Sequence, residues 1–310
     1  MFKLTKALIV MALLTTGLMA KTQDIQIFTS SNKDGKITAE SVEKAFADLD
    51  FIIDVNNNMN IAFKAKFKNT RHDLYHLFVV HNSKFVSTLS KKYTSVGLFS
   101  PMSMSLYSRT GSHNFSISSL TLDGWSKITG IPKTDKDLVA YTELVTKALK
   151  KAMPNGKFEK VNYNIETKKG KLVSNFTYKM DPKLDFIEQK EDFQEEVEGE
   201  LESMGFVYPS FVEFSAEFEA EGNTEYEIFD AYSICKISVI YAVSEKRPEA
   251  GAYAPCTLFM YQKKGESELH ISFPTVYNWI SSMDMDDANA IKILKKAQND
   301  FAGILREATE

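Results

Sequence analysis

The sequence predicts an α+β protein of two repeated domains, each an antiparallel sheet with helices packed on one face. Three observations predict it. A pattern that begins at Ser41 returns about 150 residues later, from Glu195 onward. Within each copy, apolar residues at helical spacing give way to runs that alternate with period two. The only two tryptophans, Trp125 and Trp279, coincide when the copies are aligned, as do Pro101 and Pro255.

Each element follows from local pattern. Thr38 and Ser41 offer capping hydroxyls ahead of Val42, Ala45, Phe46 and Leu49, so a first helix starts there. Ile61 to Phe67 alternates apolar and polar residues and reads as a half-buried strand, as does its twin Val212 to Phe218. Tyr75 to Val80 and Tyr226 to Ala231 read as the next strand, and Phe85 to Leu89 and Ile237 to Val243 as helices. The segments ending at Tyr107 and Tyr261 then pair with Asn114 to Ser118 and Glu268 to Ser272. Gly111 and Gly265 mark the turns between them. Each copy closes on a helix, Asp135 to Met153 and Asp286 to Ala308.

The acidic run Glu188 to Glu202 carries Phe193, Val197 and Leu201 at helical spacing, so its charges read as the solvated face of the second copy's first helix. A cation-binding strip is the sharper alternative. Between the copies, two alternating runs joined at Gly170 predict a hairpin at about 161–179, whose second arm has a counterpart in Asp24 to Phe28. The domains are therefore a first repeat over 21–156 and a second over 157–310.

Lys3 and Lys6, the apolar run Ala7 to Leu14 and the small residue Ala20 have the layout of a signal peptide over residues 1–20. The expected location is periplasmic or secreted. Elsewhere no apolar run is long enough to span a bilayer. Without Lys3 and Lys6 the formal charge moves from -4 to -6, which argues against nucleic acid as a partner.

The order helix, Gly205-Phe206, strand, Tyr226 to Ala231, Ile234-Cys235, helix, Ala254-Pro255-Cys256 and a strand ending at Tyr261 resembles the bacterial domain-of-unknown-function 302 family. The first copy resembles it through Asp50-Phe51 and Ser100-Pro101-Met102. The resemblance implies a small α+β fold with an antiparallel sheet, often a homodimer, with no settled activity and no catalytic residues to carry over. The two copies are then expected to form an intramolecular pseudo-dimer.

Cys235 and Cys256 are the leading candidates for chemistry. Both lie in the second copy on elements expected to be neighbours, and Ser83 and Met102 stand in their places in the first. In an exported chain such a pair is most simply a disulfide. Buried thiols, a redox pair and metal ligands are the alternatives, the last two weakened by the lack of Cys-x-x-Cys and of a histidine cluster. His72 and His76, four apart, share one face and are weaker metal candidates with no third ligand. Met102 and Met104 invite copper(I), but Met104 matches Leu258, so core filling is simpler. Trp125 and Trp279 read as packing anchors, or as the floor of a shallow apolar groove.

No phosphate loop, nucleophile motif or cofactor fingerprint is present, so no cofactor is expected. The reading is an exported, non-catalytic binding or interaction protein of the cell envelope, its partner a small molecule or an envelope protein. A thiol-redox or metal-handling factor using Cys235 and Cys256 is the alternative.

Overall fold

The computed structural model describes residues 23–161, 163, 165 and 170–310. The signal segment expected over 1–20 lies outside them, as does part of the first arm of the hairpin expected at about 161–179.

The first repeat runs β1 (Ile25–Ser31), α1 (Ala39–Ala47), β2 (Ile52–Asn58), α2 (Met59–Phe67), β3 (Leu74–His81) and α3 (Ser83–Ser90). A 3-10 segment (Thr94–Phe99) leads to β4 (Met102–Ser108), β5 (Asn114–Leu120), α4 (Leu122–Thr129), α5 (Lys136–Ala152) and the short β6 (Lys157–Phe158). The second runs β7 (Val173–Lys179), α6 (Phe186–Ser203), β8 (Val207–Glu213), α7 (Phe214–Ala220), β9 (Tyr226–Cys235) and α8 (Ile237–Ser244). Its own 3-10 segment (Pro248–Tyr253) leads to β10 (Cys256–Lys263), β11 (Glu268–Pro274), α9 (Tyr277–Ser282) and α10 (Ala288–Thr309).

Among the described residues the strands form two antiparallel sheets, ordered β2-β3-β4-β5-β1-β6 and β8-β9-β10-β11-β7. Leaving out β6, the two orders coincide element for element, so the halves share one topology. β7 pairs with β11 as β1 pairs with β5, which makes it the counterpart of the Asp24 to Phe28 segment. It forms the second arm of the expected hairpin, but its paired neighbour is β11. Gly111 and Gly265, at φ 72° and 86°, turn the β4–β5 and β10–β11 hairpins in the left-handed region that glycine adopts at least cost.

One element differs in kind from the sequence expectation. Ile61 to Phe67 and the core of Val212 to Phe218 are helical, in α2 and α7. Phe63 and Phe67 lie on one side in either conformation; the burial of Met59 and Phe63 beside an exposed Ile61 fits only the helical period. Asn58 caps α2 by accepting from the Asn60 N–H, and Lys68 ends it in the left-handed region. β2 lies where the sequence predicts no strand, and of β8 only Val212 and Glu213 fall in a predicted strand.

Helices cover one face of each sheet. Phe46 of α1 meets Phe78 of β3 at 5.4 Å, and α6 buries Phe193, Val197 and Leu201 while its acidic residues face water, except Glu198, which is half-buried and accepts from the Tyr232 hydroxyl. The opposite faces are covered reciprocally by the other half. The 248–253 segment lies on β4 and β5, where Ser105 Oγ donates to the Pro248 carbonyl at 2.8 Å, Ser118 Oγ to the Glu249 carbonyl at 3.0 Å and Tyr75 OH to the Pro248 carbonyl at 3.0 Å. These bonds satisfy backbone acceptors that water no longer reaches, which otherwise costs about 1–3 kcal/mol each. The 94–99 segment lies on the second sheet in the same way, with the Thr94 and Tyr226 hydroxyls 2.9 Å apart and Tyr226 OH donating to the Ser90 carbonyl at 2.8 Å.

Candidate functional site

Near its helix-covered face the second repeat holds a small cleft of about 50 Å3, bordered by the ends of β9, β10 and β11 and by α8, α9 and α10. Cys235 ends β9 and Cys256 begins β10, so the cleft lies at the end of these paired interior strands. Leu294, Ala297, Gln298 and Phe301 of α10 recur at three- and four-residue steps and present one face to it. Trp279 of α9 and Phe206 and Phe273 complete the aromatic wall.

In the first repeat aromatic side chains fill the equivalent core position, beneath a more polar surface depression lined by Asn82, Lys84, Phe85 and Lys147, and the register of the closing helices shows how. The buried positions Leu138, Tyr141, Val145, Ala148 and Leu149 of α5 step as Leu294, Ala297, Phe301, Ile304 and Leu305 do on α10. Tyr141 therefore stands where Ala297 is. Its fully buried ring stacks on Phe85 at 5.1 Å and lies 5.5 Å from Trp125 and 6.1 Å from Phe51. In the second repeat Phe206 and Trp279 keep the places of Phe51 and Trp125, while Ala297 and Val239 replace Tyr141 and Phe85. Phe301, 4.6 Å from Phe273 and 5.9 Å from Phe206, takes back part of the volume of the two missing rings. The remainder is the cleft.

Cys235 and Cys256 are both free thiols, so the disulfide expected from the sequence is not formed. The physical reason is register. Cys256 pairs with Ile234, one residue before Cys235, so the two cysteines are not directly opposed across the ladder although both border the cleft. Burial raises the Cys235 thiol to about 12, aided by the neighbouring Cys256, and burial raises Cys256 likewise to about 12. Both stay protonated at neutral pH, whereas thiolate is the form that attacks or binds metal. As thiols they act as small apolar wall groups. Cys235 also borders a wider groove between the repeats, with Ile61, Ala65 and Val207.

In the first repeat the residue that ends β3, and so corresponds to Cys235, is His81 rather than the expected Ser83; Met102 does correspond to Cys256. His81 is buried, with Nδ1 donating to Asp54 Oδ2 at 2.8 Å and Nε2 to Glu217 Oε2 of the other repeat at 3.0 Å. Burial alone would lower the imidazole, but the hydrogen bonds and charges of Asp54 and Glu217 outweigh it and raise it to about 9.

Two charges stand at the mouth of the cleft. Lys236 Nζ lies 4.4 Å from the Phe206 ring centroid and 3.3 Å from Asp300 Oδ2. Asp300 also receives Lys296, at 2.8 and 2.9 Å on its two oxygens. Gln298 Oε1 accepts from the Val276 N–H at 2.8 Å.

The histidine pair does not converge. His72 Nε2 donates to the Ser244 carbonyl at 2.7 Å across the repeat interface, whereas His76 Nδ1 bonds Asn56 Oδ1 at 2.9 Å. Burial lowers both imidazoles. Among the described residues no group of three or more His, Cys, Asp or Glu side chains could hold a metal ion. Met102 and Met104 are fully buried core residues. Trp125 packs edge-on against Phe99 at 5.1 Å, whereas Trp279 both stacks on Tyr253 and walls the cleft. The sequence reading singled out Cys235, Cys256 and Trp279 at this site but not Ala297, Val239 or Lys236.

No protein-family model matches the chain, and no curated protein does. Among solved structures, the crystal structure of an uncharacterized conserved protein, DUF302, from Bacillus stearothermophilus matches 46% of this chain and 100% of its own, at 15% sequence identity and a TM-score of 0.37. That designation is the one the sequence itself resembles.

Proposed function

We propose that the protein is a non-catalytic binding protein that takes a small apolar molecule into the cleft of its second repeat, and that it does so outside the cytoplasm. The observation that carries the reading is the exchange of Tyr141 for Ala297. A buried aromatic that packs against three others in one copy is absent from the other, and the space stays only partly refilled. An empty apolar volume in a core costs stability, at about 24 cal/mol per Å3 of residual cavity, so a retained cleft asks for an occupant. At about 50 Å3 its free space suits a slim apolar group rather than a drug-sized molecule. Export is supported by the charge and apolar pattern of residues 1–20.

The alternative of a thiol-redox or metal-handling factor needs thiolates, and burial works against them at both cysteines.

Titration with the apolar dye N-phenyl-1-naphthylamine tests the reading. The natural chain is expected to enhance its fluorescence saturably, and Ala297→Tyr to abolish the signal without lowering the thermal midpoint. A natural chain that gives no saturable signal, or a variant that binds equally well, rejects it.

A further inference from the structure

We propose that the ligand of this cleft is a small amphipathic carboxylic acid, bound as its anion, with the apolar body among the aromatic residues and the carboxylate at Lys236. The inference rests on the cleft being a ligand site and adds what chemistry its mouth selects.

Apart from Lys236 and Gln298 the lining is apolar, and the Gln298 carbonyl oxygen is already bonded to the backbone. The Gln298 amide N–H groups can still donate, and beside them Lys236 is the charged group in the lining that an entering ligand meets. Its tie to Asp300 is long, at 3.3 Å, while Lys296 holds both oxygens of the same carboxylate at 2.8 and 2.9 Å. Two ammonium groups share one carboxylate, which leaves a positive excess at the rim. A neutral ligand seated there would strip water from Lys236 and return nothing, whereas a carboxylate would replace that water with a charge-assisted bond.

The backbone beside it points the same way. At the equivalent place in the first repeat, Asn82 caps α3 by accepting from the Phe85 N–H at 3.1 Å. Lys236 has no acceptor oxygen, and α8 begins with no side-chain cap. The Val239 N–H turns back to the Lys236 carbonyl at 2.8 Å, so the Ile237 and Ser238 N–H groups and the helix dipole are what favour an anion at this end of α8. The first repeat, with its space filled by Tyr141, has an asparagine cap instead of a lysine. The apolar cleft and a lysine at the start of the adjoining helix occur together in the second repeat, and Tyr141 and Asn82 stand in their places in the first.

Calorimetric titration with octanoate and its neutral isostere octanamide tests this on the full chain. The natural protein is expected to bind octanoate at least about ten-fold more tightly, the margin of one charge-assisted bond. K236M is expected to erase the preference while keeping the octanamide affinity, and K236R to retain it. Equal affinities in the natural protein, or a preference that survives K236M, overturns the proposal. If neither compound binds while the dye still does, the acid class is wrong and the cleft reading stands; if the dye also fails, the cleft reading is wrong. Should K236M fail to fold, the acid-to-amide ratio in the natural protein and K236R decides alone.

Discussion

Gly97 and Gly251 occupy the same place in the 3-10 segments of their repeats, and each presses a bare Cα into the sheet of the other. A Cβ on Gly97 would overlap the ring of Phe259, and one on Gly251 would overlap Ser105, with its Cα and backbone N only 2.8 Å away. The halves are thus joined by two reciprocal close approaches.

Gly251→Ala is expected to destabilise the chain by about 3 kcal/mol, because the obstacle is strand backbone that no side-chain rotation can move aside. Gly303→Ala, in the interior of α10 with nothing near its would-be Cβ, is the control and should stabilise by about 1 kcal/mol. Urea unfolding of both variants checks this. A Gly251 variant as stable as the natural chain would show that the halves need no such proximity.

The His81 triad makes the interface sensitive to alkali. His81 is raised from 6.5 to about 9 in the folded chain, so its stabilising contribution is complete below pH 6.5 and is lost as pH climbs through 9. The linkage relation puts the loss on the order of 3 kcal/mol. Denaturant midpoints at pH 6.5, 8 and 10 should fall for the natural chain and fall less for His81→Asn. Parallel pH profiles would mean that Asp54 and Glu217 do not hold the imidazolium.

Tyr141→Ala should open in the first repeat the space that the second repeat already has. The expected destabilisation is about 3–5 kcal/mol, since a fully buried ring with three aromatic neighbours is removed. If the variant folds, it should bind a second equivalent of apolar dye. A loss below about 1 kcal/mol would show that the site collapses and that the comparison between repeats is misleading.

The thiols should resist modification. With both raised to about 12, the thiolate fraction at pH 8 is on the order of one in ten thousand. A disulfide reagent is expected to label neither cysteine on the native chain within minutes and both in denaturant. Rapid labelling of the native protein would revive the redox alternative.

The repeat, the hairpins and the closing helices were legible because each rests on a single unambiguous period. Ile61 to Phe67 was not, since Phe63 and Phe67 satisfy strand and helix alike, and only the exposure of Ile61, 71%, separates them. β2 was hidden because it is an edge strand ending in Asn56, Asn57 and Asn58, a composition that reads as a loop. At the candidate site, two cysteines in one copy were conspicuous. Ala297 was not, because a small residue on a helix carries no mark of its own. It becomes informative only when α10 is laid on α5 and Tyr141 falls upon it.

A symmetric homodimer built from one such domain would carry every site twice, and occupancy of the first could alter the second. Here the ring of Tyr141 closes one of the two positions. If the cleft binds as proposed, the duplicated chain is expected to take one equivalent, and saturation should follow a simple hyperbola, with a Hill coefficient of about one and no homotropic cooperativity.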